Sequence, residues 1–293
     1  MKKIAIIGSK GFLGKHIEWY FRQNTNYLIE TYDCIQGNER FYTQIDLSNP
    51  ESVKCINVDT DYIFMFSGLT GTYMGFDNAE RFLKVNEQGL INLLNHIRLS
   101  KYRPKIIYPS TRLVYKGRDS ALTEEDEKET KTIYAVNKIA CENYLYAYYN
   151  SFNIPYTIFR ICIPYGNLLD KNYSFGTIGH FLKMAQNGQN ITLYGNGNLK
   201  RTFTHIYDVC YQIIEGGLMS KSDGGIYNVG GETYSLKEVA EFIATLYNVK
   251  ITEIPWPDKD LQIESGHTYF NDLRIQKLLG GYNYKSLKNQ SFE

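Results

Sequence analysis

Tyr134 and Lys138 stand four positions apart in the run Tyr134-Ala135-Val136-Asn137-Lys138. On a helix that spacing puts both side chains on one face. A phenol normally titrates near pH ~10, too high for a base at neutral pH. An ammonium one turn away favours the phenolate, so Lys138 is expected to lower the Tyr134 value. Such a pair can give or take a proton at a hydroxyl while hydride moves to or from a nicotinamide, and the ammonium can hold the nicotinamide ribose. Thr111 closes the apolar segment Lys105 to Tyr108 through Pro109-Ser110-Thr111, and its hydroxyl can share the proton of the reacting group. A second set of residues fits the same chemistry. Gly8, Gly11 and Gly14 follow the apolar run Ile4 to Ile7 at three-residue intervals. Gly8 permits a tight turn, Gly11 lets the backbone approach a pyrophosphate, and Gly14 lets helix and strand pack closely. Asp33 lies nineteen residues after Gly14, near the ~20 expected of the carboxylate that accepts from an adenosine ribose. It would repel a 2′-phosphate, so the expected cofactor is NAD rather than NADP.

These residues need elements to hold them. Ile4 to Ile7 predicts a strand buried on both faces, and Phe12 to Arg22 has apolar residues at helical spacing. The start of that helix offers free N–H groups and a positive dipole end to phosphate. Further strands are expected over Tyr27 to Tyr32, Phe41 to Ile45, Asp61 to Phe66 and Lys105 to Tyr108. Ser48-Asn49-Pro50 should open a helix. Long helices are expected over Arg81 to Leu99 and from Tyr134 to about Asn150, and a capped amphipathic helix over Ser235 to Tyr247. The acidic loop Lys116 to Thr130, with Glu124, Glu125, Asp126, Glu127 and Glu129, is expected to be solvated surface. Alternating strands and helices predict an α/β fold with a doubly wound parallel sheet.

Composition narrows the class. The chain has 293 residues, 43% hydrophobic and 22% charged, with a net charge of +1. That balance gives no reason to expect nucleic acid or an acidic membrane as a partner. Five scattered cysteines with no C-x-x-C pair argue against a disulfide framework or zinc site, and five scattered histidines suggest no metal. The N-terminal apolar run stops too soon for a signal peptide, so the cytoplasm is the expected compartment.

Taken together the motifs resemble the extended short-chain dehydrogenase/reductase family, in the branch of nucleotide-sugar epimerases and dehydratases. Glycines at three-residue intervals are the variant associated with that family. The similar stretches are Gly8-x-x-Gly11-x-x-Gly14, Asp33, Asp46-Leu47, Phe66-Ser67-Gly68-Leu69, Val85-Asn86, Ser110-Thr111-x-x-Val114-Tyr115 and Tyr134-x-x-x-Lys138. They continue with Arg160-x-x-x-x-Tyr165-Gly166, Leu193-Tyr194-Gly195-Asn196-Gly197-x-x-x-Arg201, Tyr227-Asn228-Val229-Gly230 and Leu278-Leu279-Gly280. The resemblance implies a catalytic triad of Thr111, Tyr134 and Lys138. It implies NAD contacts from Gly8, Gly11, Phe12, Leu13, Gly14, Asp33, Asp46, Leu47, Ser67, Gly68, Tyr134 and Lys138. It implies that Thr111, Tyr134 and Arg201 meet a nucleotide-diphosphate sugar, with Arg201 on the diphosphate, as a guanidinium fork suits phosphate. It also implies two lobes: a Rossmann domain of residues 1–165 with about 202–228, and a smaller α/β substrate lobe of about 166–201 and 229–293. A homodimer through the helices Arg81 to Leu99 and Tyr134 to Asn150 is expected on the same ground.

Departures from the family pattern bear on the reaction. The 4,6-dehydratases of this branch carry an Asp-Glu pair directly after the threonine; here those positions are Arg112 and Leu113. Elimination of water needs an acid and a base there, so dehydration is disfavoured. The family's Arg-x-x-Asn is Arg160-Ile161-Cys162-Ile163, and Lys116 separates Tyr115 from Gly117. Three functions then stand: an epimerase that removes hydride from a ring hydroxyl, typically at C4, and returns it to the other face; an NAD(P)H-dependent 4-ketoreductase of deoxysugar or surface-polysaccharide synthesis; and a non-catalytic nucleotide sensor or scaffold protein on the same fold. The intact Thr111, Tyr134 and Lys138 weigh against the sensor. Asp33 favours the epimerase.

Overall fold

Ile4, Ala5, Ile6 and Ile7 are all fully buried, as a strand covered on both faces must be. The structure, a computed structural model describing residues 1–23, 26–169 and 175–290, places them in the interior of a seven-stranded sheet. Its strands are β1 (Lys2–Ile7), β2 (Tyr27–Asp33), β3 (Tyr42–Gln44), β4 (Tyr62–Met65), β5 (Lys105–Thr111) and β6 (Tyr156–Ile161), with a later strand at Gly225–Asn228. Between them in the chain come β7 (Ile163–Tyr165), β8 (Ile191–Tyr194) and β9 (Lys200–His205), so the later strand is β10. The sheet order is β10-β6-β5-β4-β1-β2-β3, and every neighbouring pair is parallel. The chain winds outward from β1 through β2 to β3, then returns to β4 and winds the other way. The switch lies between β1 and β4, where doubly wound α/β sheets open a crevice at their carboxyl ends.

Each face of the sheet is covered by helices. Phe12–Arg22 and Ile206–Leu218 bury Ile17, Phe21, Val209 and Ile213 against Ile4, Ile6 and Phe64. Gly89–Leu99 and Ile133–Phe152 bury Leu93, Ile97, Cys141 and Leu145 against Ala5, Ile7 and Ile106. A third core gathers around smaller sheets, β11 (Glu232–Ser235)-β9-β7 and β12 (Ile251–Ile254)-β8, with the helices Gly176–Gln186 and Leu236–Tyr247. Ser235 and Glu238 close a capping box at the start of the latter, which satisfies two backbone donors that the helix leaves open. The Leu273–Leu279 helix returns to the large sheet, placing Ile275 and Leu278 in its core.

Three local expectations give way to the structure. The helix expected over Arg81 to Leu99 is broken into Ala79–Phe82, a π-helical turn Leu83–Gln88, and Gly89–Leu99. Phe41 stands outside its strand at φ 66°, half exposed. The acidic loop is not solvated throughout. Glu125 and Glu127 are exposed, but Glu124 is buried. Its carboxylate accepts the Asn228 N–H at 2.8 Å and faces Arg274 at 3.6 Å. A charge run in sequence conceals one member that folds inward, because its partners lie a hundred or more residues away.

Candidate active site

The glycine turn is built by close approach. Gly8 sits at φ 87°, and a Cβ there would lie 2.4 Å from Ser67 N. A Cβ on Gly14 would lie 2.1 Å from Gly8 O, so helix and strand meet with no room for a side chain. Gly11 differs: a Cβ there would touch only Gly8 O, at 3.3 Å. The open side of the turn is therefore in front of Gly11. Gly11 is also the N-cap of Phe12–Arg22, with no side chain capping the first turn. Orphan N–H groups at an uncapped helix start, next to an open backbone cradle, are what a pyrophosphate fits. Phe12 stacks its ring on Phe175 at 4.0 Å, while Leu13 reaches the cleft described below.

Asp33 ends β2 and is buried. One carboxylate oxygen accepts the Lys10 N–H at 2.8 Å and the other the Ile35 N–H at 3.2 Å. These bonds fix the carboxylate at the turn and leave lone pairs on both oxygens for ribose hydroxyls. Asp46 is exposed and accepts from Ser48 N and Oγ, while Leu47 is buried and its carbonyl accepts from Asn92 Nδ2 at 2.8 Å.

Thr111, Tyr134 and Lys138 line one cleft of about 400 Å³, together with Leu13 and Gly68 from the glycine-turn side. The Ile133–Phe152 helix begins just before Tyr134, capped by the Thr132 hydroxyl on Ala135 N. Lys138 is buried and gives its Nζ to Pro109 O at 2.7 Å, with the Tyr134 ring centroid 5.7 Å away. Burial lowers the Lys138 pKa to about 8, with Cys141 and Glu142 pulling it back up. The Tyr134 phenol moves the opposite way from the sequence expectation: burial raises its pKa. Loss of solvation dominates at the phenolate, and the ammonium, 5.7 Å from the ring centroid, does not offset it. Thr111 is buried at the end of β5, where its hydroxyl accepts from Leu113 N at 3.3 Å.

Arg201 does not line this cleft. It is buried at 1% exposure, and its guanidinium donates to Lys200 O, Gly266 O and Glu264 at 2.7–2.9 Å. Burial, then the charge of Arg112, lowers its pKa to about 10.

Supporting residues emerge that spacing alone did not single out. Asn86, inside the π turn, accepts from Leu69 N at 2.7 Å and donates to Leu69 O at 3.1 Å, fixing the loop that carries Ser67 and Gly68. π turns of this kind recur at functional sites. Asn137 links Asn86 to Glu87. Glu142, one turn beyond Lys138, accepts from Ser110 Oγ at 2.5 Å and pairs with Arg160 at 2.5 Å, all buried. Arg160 also donates to Tyr115 Oη. Pro109 and Ser110 are thus tied to the same helix as Tyr134, on either side of one peptide.

The NAD dependent epimerase/dehydratase family matches residues 4–230, from the start of β1 to just past β10. The chain belongs to that family. As a member of the NAD dependent epimerase/dehydratase family it is an enzyme whose cofactor is NAD, and the cradle before Gly11 fits that group. It is 25% identical to a UDP-N-acetyl-alpha-D-glucosaminuronate decarboxylase of Bacillus cytotoxicus, over 87% of this chain and 84% of the relative. It is 26% identical to the human dTDP-D-glucose 4,6-dehydratase, over 78% and 69%. Its fold is that of the UDP-glucuronic acid 4-epimerase of Bacillus cereus, solved with UDP-glucuronic acid and NAD, at a TM-score of 0.85, 20% identity, and coverage of 98% and 96%. Among the described residues no helix is long and apolar enough to cross a membrane.

Proposed function

We propose that this protein is a nucleotide-sugar 4-epimerase, which oxidises the C4 hydroxyl of its substrate and restores it with the opposite configuration. The observation that carries this is the meeting of Thr111, Tyr134 and Lys138 in one cleft that carboxylates do not line among the described residues. The Tyr134 phenolate can take the proton of a ring hydroxyl, and the phenol so formed can return it to the same oxygen when hydride is delivered to the other face of the carbon. Dehydration would need a further acid and base, and Arg112 and Leu113 supply neither. Bound NAD supplies the hydride acceptor and donor. Tyr134 exchanges the proton at the reacting oxygen, and Thr111 donates a hydrogen bond to that oxygen. Lys138, charged below pH about 8, stabilises the phenolate that forms and anchors the nicotinamide ribose. Asp33 holds the adenosine ribose; Gly8, Gly11, Phe12, Leu13 and Gly14 receive the pyrophosphate; Asp46, Leu47, Ser67 and Gly68 complete the cofactor wall. Arg201, paired with Glu264, reaches the substrate diphosphate only if that pair opens.

On this reading residues 1–165 with about 202–228 form the NAD domain and the remainder the nucleotide-sugar lobe. The homodimer is part of the proposal. A panel of nucleotide sugars, each offered with and without NADH, tests the function. The expected outcome is interconversion of C4 epimers without net loss of NADH. Stoichiometric NADH consumption would instead identify a 4-ketoreductase.

A further inference from the structure

Arg112 follows Thr111 directly and lines the same cleft. Among the described residues the charged side chains lining it are Arg112 and Lys138. Lys138 is engaged by Pro109 O. Arg112 is part-exposed, and the hydrogen bond it makes among the described residues is from Nη1 to the Thr268 hydroxyl, 2.9 Å. Much of the surrounding wall is apolar: Leu69, Leu113, Ile161, Ile163, Pro164 and Phe175. A guanidinium with one neutral partner against such a wall is costly to close over without an anion. Its remaining N–H groups form a fork that matches an oxyanion. Arg201, the neighbouring arginine, is already satisfied by Glu264 and two carbonyls.

We propose that Arg112 binds an oxyanion of the substrate and that this oxyanion is a carboxylate on the sugar, so that the substrates are nucleotide-linked uronic acids. The proposal rests on the epimerase reading, which places the C4 hydroxyl beside Thr111. Adjacent Cα atoms are ~3.8 Å apart. In a hexuronic acid the carboxylate carbon is joined through C5 to C4, so it lies close to the oxygen that Thr111 holds. The diphosphate hangs from C1, on the far side of the ring. A neutral hexose would present a hydroxymethyl group to Arg112 and leave its charge uncompensated.

Calorimetry on the NAD-loaded protein tests this with matched pairs: UDP-glucuronic acid against UDP-glucose, and GDP-mannuronic acid against GDP-mannose. The wild type should bind the acid of one pair about 10–100-fold more tightly, the range a charge-assisted hydrogen bond provides. In R112M that ratio should fall toward one, and R112K should keep part of it. Equal weakening of acid and hexose in R112M would mean that the guanidinium serves the shared diphosphate, and would overturn the proposal. So would a wild type that prefers the hexose or binds neither member of both pairs. Failure of the epimerase reading is read separately, from turnover of Tyr134→Phe, because the binding ratio requires no turnover.

Discussion

Tyr134 and Lys138 are both held in an environment that opposes their charged forms, with opposite consequences for their pKa values. For Lys138 this couples function to stability. Its folded pKa, about 8, lies below the ordinary 10.5, so between those values the unfolded chain binds more protons and stability rises with pH. Below pH 8 the full cost of a buried ammonium is present. Lys138→Met should therefore raise stability at pH 7, by at most about 3 kcal/mol at roughly 1.4 kcal/mol per pKa unit, less the lost bond to Pro109 O. The same variant should lose turnover and bind NAD more weakly. Denaturant unfolding at pH 7 and pH 10 checks the sign: the gain should be larger at pH 7. In the wild type, turnover should fall as pH rises through 8, where the cation beside Tyr134 is lost. Thr111→Ala should reduce turnover less than changes at Tyr134 or Lys138, since a neutral hydrogen bond contributes about 0.5–1.5 kcal/mol net.

The elements that hold these groups depend on close contacts and on one irregular turn. Gly14→Ala would set a methyl group 2.1 Å from Gly8 O, where only backbone can move. The expected loss is about 1–3 kcal/mol of stability together with NAD affinity, measured by thermal unfolding with and without NAD. Asn86→Ala would strip the Leu69 amide of its acceptor within the π turn. The bond is part-buried, so the loss should fall toward the lower end of the about 1–3 kcal/mol that a buried unpaired group costs, and hydrogen exchange should show the Ser67–Leu69 loop opening first. The strand, glycine turn and helix at the N-terminus were legible in sequence because each signal is local: an apolar run, glycines at fixed spacing, then helical periodicity. Tyr134 and Lys138 were legible for the same reason. The π turn was not, since inserting one residue into a helix leaves no mark in the apolar pattern. Glu142 with Arg160, eighteen positions apart on separate elements, and Glu124 with Asn228 have no local signature at all. The sign of the Tyr134 shift was missed because sequence reveals the neighbouring charge but not the burial that outweighs it.

At the scale of the molecule, two helical segments stand side by side, joined by hydrogen bonds from Tyr144 to Glu87 and from Tyr148 to Asn95. These tyrosines bond within the chain, while Leu83, Val136 and Tyr146 stand 52%, 44% and 60% exposed on the same segments. Exposed large apolar side chains on paired helices suit a four-helix contact with a second copy. Sedimentation at micromolar concentration should give a dimer, and Val136→Glu should shift it toward monomer; a monomeric wild type would contradict the proposal. The cleft joins the glycine-turn side, the end of β5 and the start of the Ile133–Phe152 helix, and the chemistry requires all three together. The most direct test is turnover of Tyr134→Phe on a nucleotide sugar that the wild type epimerises. Removing one hydroxyl should leave fold and NAD binding intact and slow epimerisation by about 10²–10⁴-fold, the usual contribution of general acid–base catalysis. A variant that keeps near-full turnover would show that Tyr134 does not carry the proton and that the account of this site is wrong.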